Sequence, residues 1–336
     1  MKRIARLIIG AIALVFYVVV LTLLSFRLWA VWREDPAAIA PAIAGSQMVA
    51  TPRGRIHVEL QGPQDGARVV IVAGTAAWGG FWREAGAELA KAGYRVAAID
   101  LPPFGYSDRP DVADYRRPAQ AARIRETILG LGWSNAIIVG HSFGAGPAVE
   151  AALRYPAETA GLVIVDGALG LPADSTAARE EGGGLIGALS TQNWLMQPVV
   201  ASVMTNPLLT RRLLAMMLHR ADAATEERAA ILREPMIRAG TTASYAAWLP
   251  ALLRPETTAV SHDPASYVRL VAPTAIIWGA EDAVTPLPQG ERLKALIAGA
   301  TLDVLPGAGH IPHIEAPAAF VAALRLQLER LSRKAP

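Results

Sequence analysis

The sequence predicts an α/β fold: a mostly parallel sheet covered by helices on both faces, with a helical lid inserted between strands and an apolar N-terminal transmembrane helix. Three observations predict it. From about residue 47 onward, short apolar runs alternate with longer amphipathic ones, the pattern of strand–helix–strand units. The alternation stops between about residues 169 and 268. Residues 7–26, LIIGAIALVFYVVVLTLLSF, form a run of twenty without a charge.

In chain order, the uncharged run comes first. At about 1.5 Å of rise per residue a helix of that length spans about 30 Å, the hydrocarbon thickness of a bilayer. Lys2, Arg3 and Arg6 precede it, and Arg27 and Arg33 follow. Trp29 and Trp32 fall where an interfacial aromatic belt lies. The expected element is a single-pass anchor, residues 1–33, with the span at about 7–27. The basic residues favour the N-terminus inside and the bulk of the chain on the extracytoplasmic side. A buried core helix is the poorer reading, because the run is apolar on every face. A cleaved signal peptide competes. Its apolar part is usually about 7–15 residues with a small-residue site close behind, whereas Ala42 and Ala44 lie far beyond this run. Residues 34–46, EDPAAIAPAIAGS, read as a linker.

The candidate strands are residues 56–60, 69–73, 94–99, 136–139, 162–165, 274–278 and 301–305, and the candidate helices 81–91, 117–131 and 143–154. They fall in two stretches, 47–168 and 269–336, which together form the core. Crossovers between parallel strands are right-handed, which leaves few topologies. Residues 169–268 form the lid, with helix-like pieces at 210–218 and 225–237. Five of the seven methionines fall there: Met196, Met204, Met216, Met217 and Met236. Flexible Met side chains suit a surface that adapts to varied apolar ligands; ordinary packing is the alternative.

Composition narrows the chemistry. A chain of 336 residues, 52% hydrophobic, buries a sizeable core. The net charge of +3 is small and evenly spread, so no nucleic-acid partner is expected. The absence of cysteine excludes disulfides, thiolate catalysis and zinc–sulfur sites. No G-x-G-x-x-G follows a strand and no phosphate loop is present, so no nucleotide or other cofactor is expected. His310 and His313 are three residues apart, but no accompanying ligand spacing suggests a metal.

The stretch IIVGHSFGAG, residues 137–146, carries the chemistry. An apolar strand ends at Gly140, His141 and Ser142 follow, and an Ala-rich helix begins after Phe143 and Gly144. A strand-to-helix turn that sharp strains its central residue, and both flanking glycines are needed because a side chain there collides with backbone. Ser142 then projects from the carboxyl edge of the sheet, where open α/β sheets bind ligands. A serine hydroxyl needs a base, and the base an orienting carboxylate. AIIWGAEDAVTP puts Asp282 four residues past Trp278, and LDVLPGAGHIPHIEAP puts His310 five past Leu305. Glu281 and Asp166 are alternative carboxylates. His141 is structural or pocket-lining; Trp82 is expected in the core and Trp78 along the substrate pocket. His57, His219 and His262 have no partner visible in the sequence.

Ser142, Asp282 and His310, in that order, together with VVIVAGTAAWGGFW and DLPPFGYSDRP, resemble the α/β-hydrolase superfamily over about residues 47–336. The resemblance implies Ser142 as nucleophile, His310 as its base and Asp282 as the orienting acid. It also implies the backbone N–H groups of Thr75 and Phe143 as the oxyanion hole. Two departures stand out: Ala73-Gly74 where the family usually has His-Gly, and Pro103 where it usually has glycine. Relatives that open epoxides or remove halides carry Asp at the nucleophile position. Serine implies acyl transfer, on esters, lactones, thioesters, amides or, more rarely, carbon–carbon bonds beside a carbonyl. The expectation is a membrane-anchored serine hydrolase of a carboxylic ester of a hydrophobic small molecule. A carbon–carbon bond hydrolase or perhydrolase-like activity is the alternative. A non-catalytic, membrane-tethered binding module is the rival from another class. No sequence feature sets an oligomeric state.

Overall fold

The computed structural model describes residues 2–110, 113–171, 191–253 and 258–333. The parts of the expected lid at 172–190 and 254–257 lie outside the described residues. Eight strands form one sheet: β1 (Ser46–Thr51), β2 (Gly54–Gln61), β3 (Ala67–Val72), β4 (Tyr94–Ile99), β5 (Ala136–His141), β6 (Thr159–Val165), β7 (Thr274–Gly279) and β8 (Thr301–Leu305). Their spatial order is β1-β2-β4-β3-β5-β6-β7-β8. β1 and β2 form an antiparallel hairpin, and β2 runs antiparallel to β4. The remaining pairs are parallel.

Alternation along each central strand builds a core on both faces. Val69, Ile71, Ile137, Val139, Val163 and Val165 point to one side. There they meet Leu89 of α2 (Arg83–Lys91) and Phe320 and Leu324 of α10 (Pro317–Ser332). Val70, Val72, Ile138, Leu162 and Ile164 point to the other. They pack on Ile124 of α3 (Arg117–Gly130), Ala148 of α4 (Ala145–Arg154) and Leu293 of α9 (Pro288–Leu296). Successive side chains of a strand alternate sides, so a strand covered on both faces reads as a continuous apolar run. Each such side chain contributes about 1.5–3 kcal/mol by leaving water.

The lid contains no strand among the described residues. Its helices are α5 (Asn193–Ser202), α6 (Thr210–Met216), α7 (Glu226–Arg233) and α8 (Thr241–Leu253). α5 and α8 were not foreseen in the sequence, and each contains a proline, Pro198 and Pro250. An aromatic cluster docks the lid on the core. Trp248 of α8 packs against Phe104 and Phe143, with ring centroids 4.9 and 5.1 Å away.

Ahead of the core runs α1 (Lys2–Arg33), long and apolar enough to cross a membrane. The segment after it is not a free linker. Asp35 forms a bridge with Arg238 in the lid, and Ser46 already belongs to β1.

Candidate active site

The carboxyl end of β5 is where the backbone geometry becomes unusual. Ser142 has φ +51°, a left-handed conformation that costs a non-glycine residue about 1–2 kcal/mol. The flanking glycines are there for space. A Cβ on Gly140 would sit 2.7 Å from that of Ala148, and one on Gly144 would sit 2.6 Å from the Val72 carbonyl oxygen. Strand end and helix start therefore approach closely, and the Ser142 hydroxyl is thrust out at the sheet edge. Gly74 passes just above it: a Cβ there would meet the Ser142 Cβ at 2.9 Å.

Two later loops build a relay to that hydroxyl. His310, after β8, brings Nε2 to 2.8 Å from Ser142 Oγ. Its other ring nitrogen, Nδ1, lies 2.8 Å from Asp282 Oδ2, on the loop after β7. All three residues are buried. Asp282 is held by more than the histidine. Its Oδ1 accepts the N–H groups of Val284 (2.7 Å) and Thr285 (2.9 Å), and its Oδ2 accepts the Thr285 hydroxyl at 2.7 Å. Burial alone pushes the Asp282 pKa up, but the hydrogen bond and charge of His310 and the Thr285 donors outweigh it. The carboxyl is held below its ordinary value. An ionised carboxylate only accepts hydrogen bonds, so His310 donates Nδ1–H and leaves Nε2 free to accept the Ser142 proton.

Neither alternative carboxylate contacts His310. Glu281 accepts the Gly307 N–H at 2.9 Å on the far side of its loop. Asp166, fully buried with φ +43°, accepts the Gly279 N–H at 2.8 Å. Burial, with Asp282 beside it, pushes its pKa well above the carboxylate range. The site thus sets two carboxyls side by side with their pKa values pushed apart, Asp282 down and Asp166 up.

His141 lines the cleft above Ser142 and donates Nε2–H to the His310 carbonyl at 2.8 Å. Burial, then the neighbouring His310, push its pKa down to about 3, so it stays neutral. His313 stacks on Trp82, with ring centroids 3.9 Å apart; burial, then His141 and Arg228, hold it well below its ordinary value. His57 is paired with Asp100 at 2.8 Å inside the core. Among the described residues no group of three or more His, Asp or Glu side chains is arranged to hold a metal.

The cleft over Ser142 occupies about 590 Å³, its mouth included. Thr75, Ala76 and Phe81 line it from the core and Met204, Leu213 and Met236 from the lid. No lysine or arginine lines it. The N–H groups of Thr75 and Phe143 donate to no acceptor among the described residues. Trp78, expected along the pocket, is a correction. It is fully buried, its Nε1–H donates to the Ile231 carbonyl of α7 at 2.7 Å, and it does not line the cleft. The lid carbonyl that turns it away is a tertiary partner more than a hundred residues distant. Thr285 is the residue the sequence reading missed. The signal was Asp282-Ala-Val-Thr285, where a short acidic side chain caps the turn that follows it.

A sheet of this order, with a serine elbow and a histidine and a carboxylate on later loops, defines a hydrolase scaffold. A sequence profile of the alpha/beta hydrolase fold family matches residues 67–317, and the chain belongs to that family. A 2-hydroxymuconate semialdehyde hydrolase of Pseudomonas sp. (strain CF600) is 32% identical over 249 residues, 74% of this chain and 81% of that protein. The meta-cleavage product hydrolase CumD of Pseudomonas fluorescens IP01 superposes with a TM-score of 0.64 at 26% identity. That superposition covers 86% of this chain and 98% of that one. A bacterial membrane phospholipase A shares the fold, with a TM-score of 0.64 at 20% identity over 99% of each chain.

Proposed function

We propose that this chain is a membrane-anchored serine hydrolase of uncharged, hydrophobic carboxylic esters. The observation that carries the reading is the 2.8 Å contact between Ser142 Oγ and His310 Nε2 at the floor of a cleft lined by apolar side chains and no cation. Ser142 attacks the acyl carbon while its proton passes to His310. The Thr75 and Phe143 N–H groups receive the oxyanion, each donor of this kind being worth about 2.7–4 kcal/mol. His310 returns the proton to the leaving alcohol, and water then cleaves the acyl-enzyme by the same steps reversed. Asp282 keeps the imidazole in the accepting tautomer and stabilises the imidazolium.

Residues 1–33 are the anchor in this reading, 34–46 the connection, 47–168 and 269–336 the hydrolase core, and 169–268 the lid. The apolar α1 supports a span, and the basic residues before it favour a catalytic domain on the extracytoplasmic side. Carbon–carbon bond hydrolysis is the second reading, favoured by the likeness to the 2-hydroxymuconate semialdehyde and meta-cleavage product hydrolases.

The test is a substrate screen with the full chain in detergent micelles. It compares p-nitrophenyl esters from acetate to laurate with 2-hydroxymuconate semialdehyde, using Ser142→Ala as control. Rates should rise with acyl length and vanish in Ser142→Ala. A preference confined to short charged acyl groups, or turnover of the semialdehyde above every ester, refutes the ester reading.

A further inference from the structure

α1 is more than a tether, because its last turns are packed on the lid. Its residues are exposed from Arg6 to Val19, then half-buried at Val20, Leu23, Phe26, Arg27 and Trp29, and fully buried at Ala30. That spacing of three to four residues is one helix face. Arg27 Nε donates to Gln197 Oε1 at 2.9 Å, and Arg33 donates to the Thr205 carbonyl at 2.9 Å. α5 therefore runs beside α1 in the same direction, with residue 197 level with 27 and residue 205 level with 33. Glu34 clamps the join: its carboxylate accepts the N–H groups of Gly240 (2.8 Å) and Thr242 (2.9 Å) at the start of α8.

The levels have a consequence. The uncharged run of α1 is as long as a bilayer core is thick only when counted through to Phe26. The covered face begins at Val20, six residues or about 9 Å of helix rise earlier. Any part of the chain lying against that face sits below the membrane boundary with it. α5 has the composition for such a place. None of its ten residues is charged, yet it exposes Trp194 (73%) and Val199 (39%), and Val203 (41%), directly after it, is exposed too. Trp194 precedes Gln197 by three residues, which puts it about 4.5 Å nearer the bilayer centre than the level of Arg27. Tryptophan is favoured at that boundary, its ring in the apolar layer and its N–H at the headgroups. On its inner side α5 belongs to the wall of the site. Val200 packs in the cluster with Phe143, and Met204, just past the helix, lines the cleft.

We propose that α5 lies in the lipid interface beside α1, so that the lid is a membrane-immersed wall of the active-site cleft and a lipid surface is its partner. The proposal rests on α1 spanning the bilayer. The absence of cysteine makes single-cysteine variants direct reporters. The full chain is reconstituted in vesicles of phosphatidylcholine and phosphatidylglycerol and spin-labelled at Leu14→Cys, Trp194→Cys or Val268→Cys. Collision with oxygen, which partitions into lipid, is compared with collision with a water-soluble nickel chelate. Leu14 lies on α1, and Val268 is an exposed residue at the far end of the lid segment, just ahead of β7. The oxygen-to-nickel ratio at 14 and 194 should exceed that at 268 by about tenfold. A lipid value at 14 with a water value at 194 overturns this inference alone, and a water value at 14 overturns the anchor reading as well. Spin–spin broadening between labels at 194 would instead assign the face to a second copy of the chain, and also overturns the inference. In a second measurement, Trp194→Glu should slow hydrolysis of a vesicle-dissolved ester by about tenfold and leave p-nitrophenyl acetate unchanged. Equal losses on both substrates, or none on either, contradict it.

Discussion

Replacing Asp282 by Asn probes the site with an isosteric change whose consequence follows from four hydrogen bonds. Oδ1 accepts two backbone N–H groups, from Val284 at 2.7 Å and Thr285 at 2.9 Å; Oδ2 faces the Thr285 hydroxyl and His310 Nδ1 at 2.7 and 2.8 Å. An amide has one accepting oxygen and one donating NH2. The backbone donors hold the oxygen at the Oδ1 position, because the reverse orientation would aim NH2 at two N–H groups. The NH2 then faces Nδ1, which must become the acceptor. The ring proton moves to Nε2, the nitrogen 2.8 Å from Ser142 Oγ, so the base is already protonated where it should accept. A wrong tautomer of this kind costs about 10⁴ in kcat, or about 5.5 kcal/mol. The fold should survive, because the Thr285 hydroxyl turns to accept from the new NH2. The assay is steady-state hydrolysis of a p-nitrophenyl ester from neutral to alkaline pH, with active-site titration and thermal unfolding alongside. Activity of Asp282→Asn within about tenfold of wild type, with the fold intact, would refute the assignment of Asp282.

Two further outcomes follow from the backbone and from burial. Ser142→Gly and Ser142→Ala should both be inactive, but the glycine variant should be more stable than the alanine variant by about 0.5–1 kcal/mol, because only glycine adopts φ +51° without strain; a higher melting midpoint for the alanine variant contradicts the strained elbow. Asp166→Asn should keep activity within about tenfold of wild type, because its carboxyl does not touch His310. Burial raises the Asp166 pKa in the folded state, so above about pH 4 the unfolded state binds fewer protons and wild-type stability falls as pH rises toward the folded-state value. The stability of Asp166→Asn relative to wild type should therefore grow from acid to neutral pH, and denaturant titrations showing it shrink would contradict a raised Asp166 pKa.

The elements that were legible in the sequence are those whose partners the local pattern already implies. β3, β5 and β6 are buried on both faces, so their apolar runs are continuous. The elbow showed because glycine is the one residue that fits against Ala148 and Val72 at positions 140 and 144. β1 was missed for the opposite reason: of SQMVAT only Val49 is buried, so an edge strand paired on one side carries little pattern. α5 and α8 were obscured by Pro198 and Pro250, which read locally as helix ends. Trp78 was misplaced because its partner is a lid carbonyl 153 residues away. The clamp of Glu34 on α8 likewise joins residues more than two hundred positions apart, and no local rule announces it.

The central claim is that the Ser142 hydroxyl is made nucleophilic by His310. Labelling with a fluorophosphonate, followed by peptide mass mapping, tests it most directly. One adduct is predicted, on Ser142, absent in Ser142→Ala and formed at least about 10³ times more slowly in His310→Gln. An adduct on another residue, or wild-type labelling in His310→Gln, would contradict it.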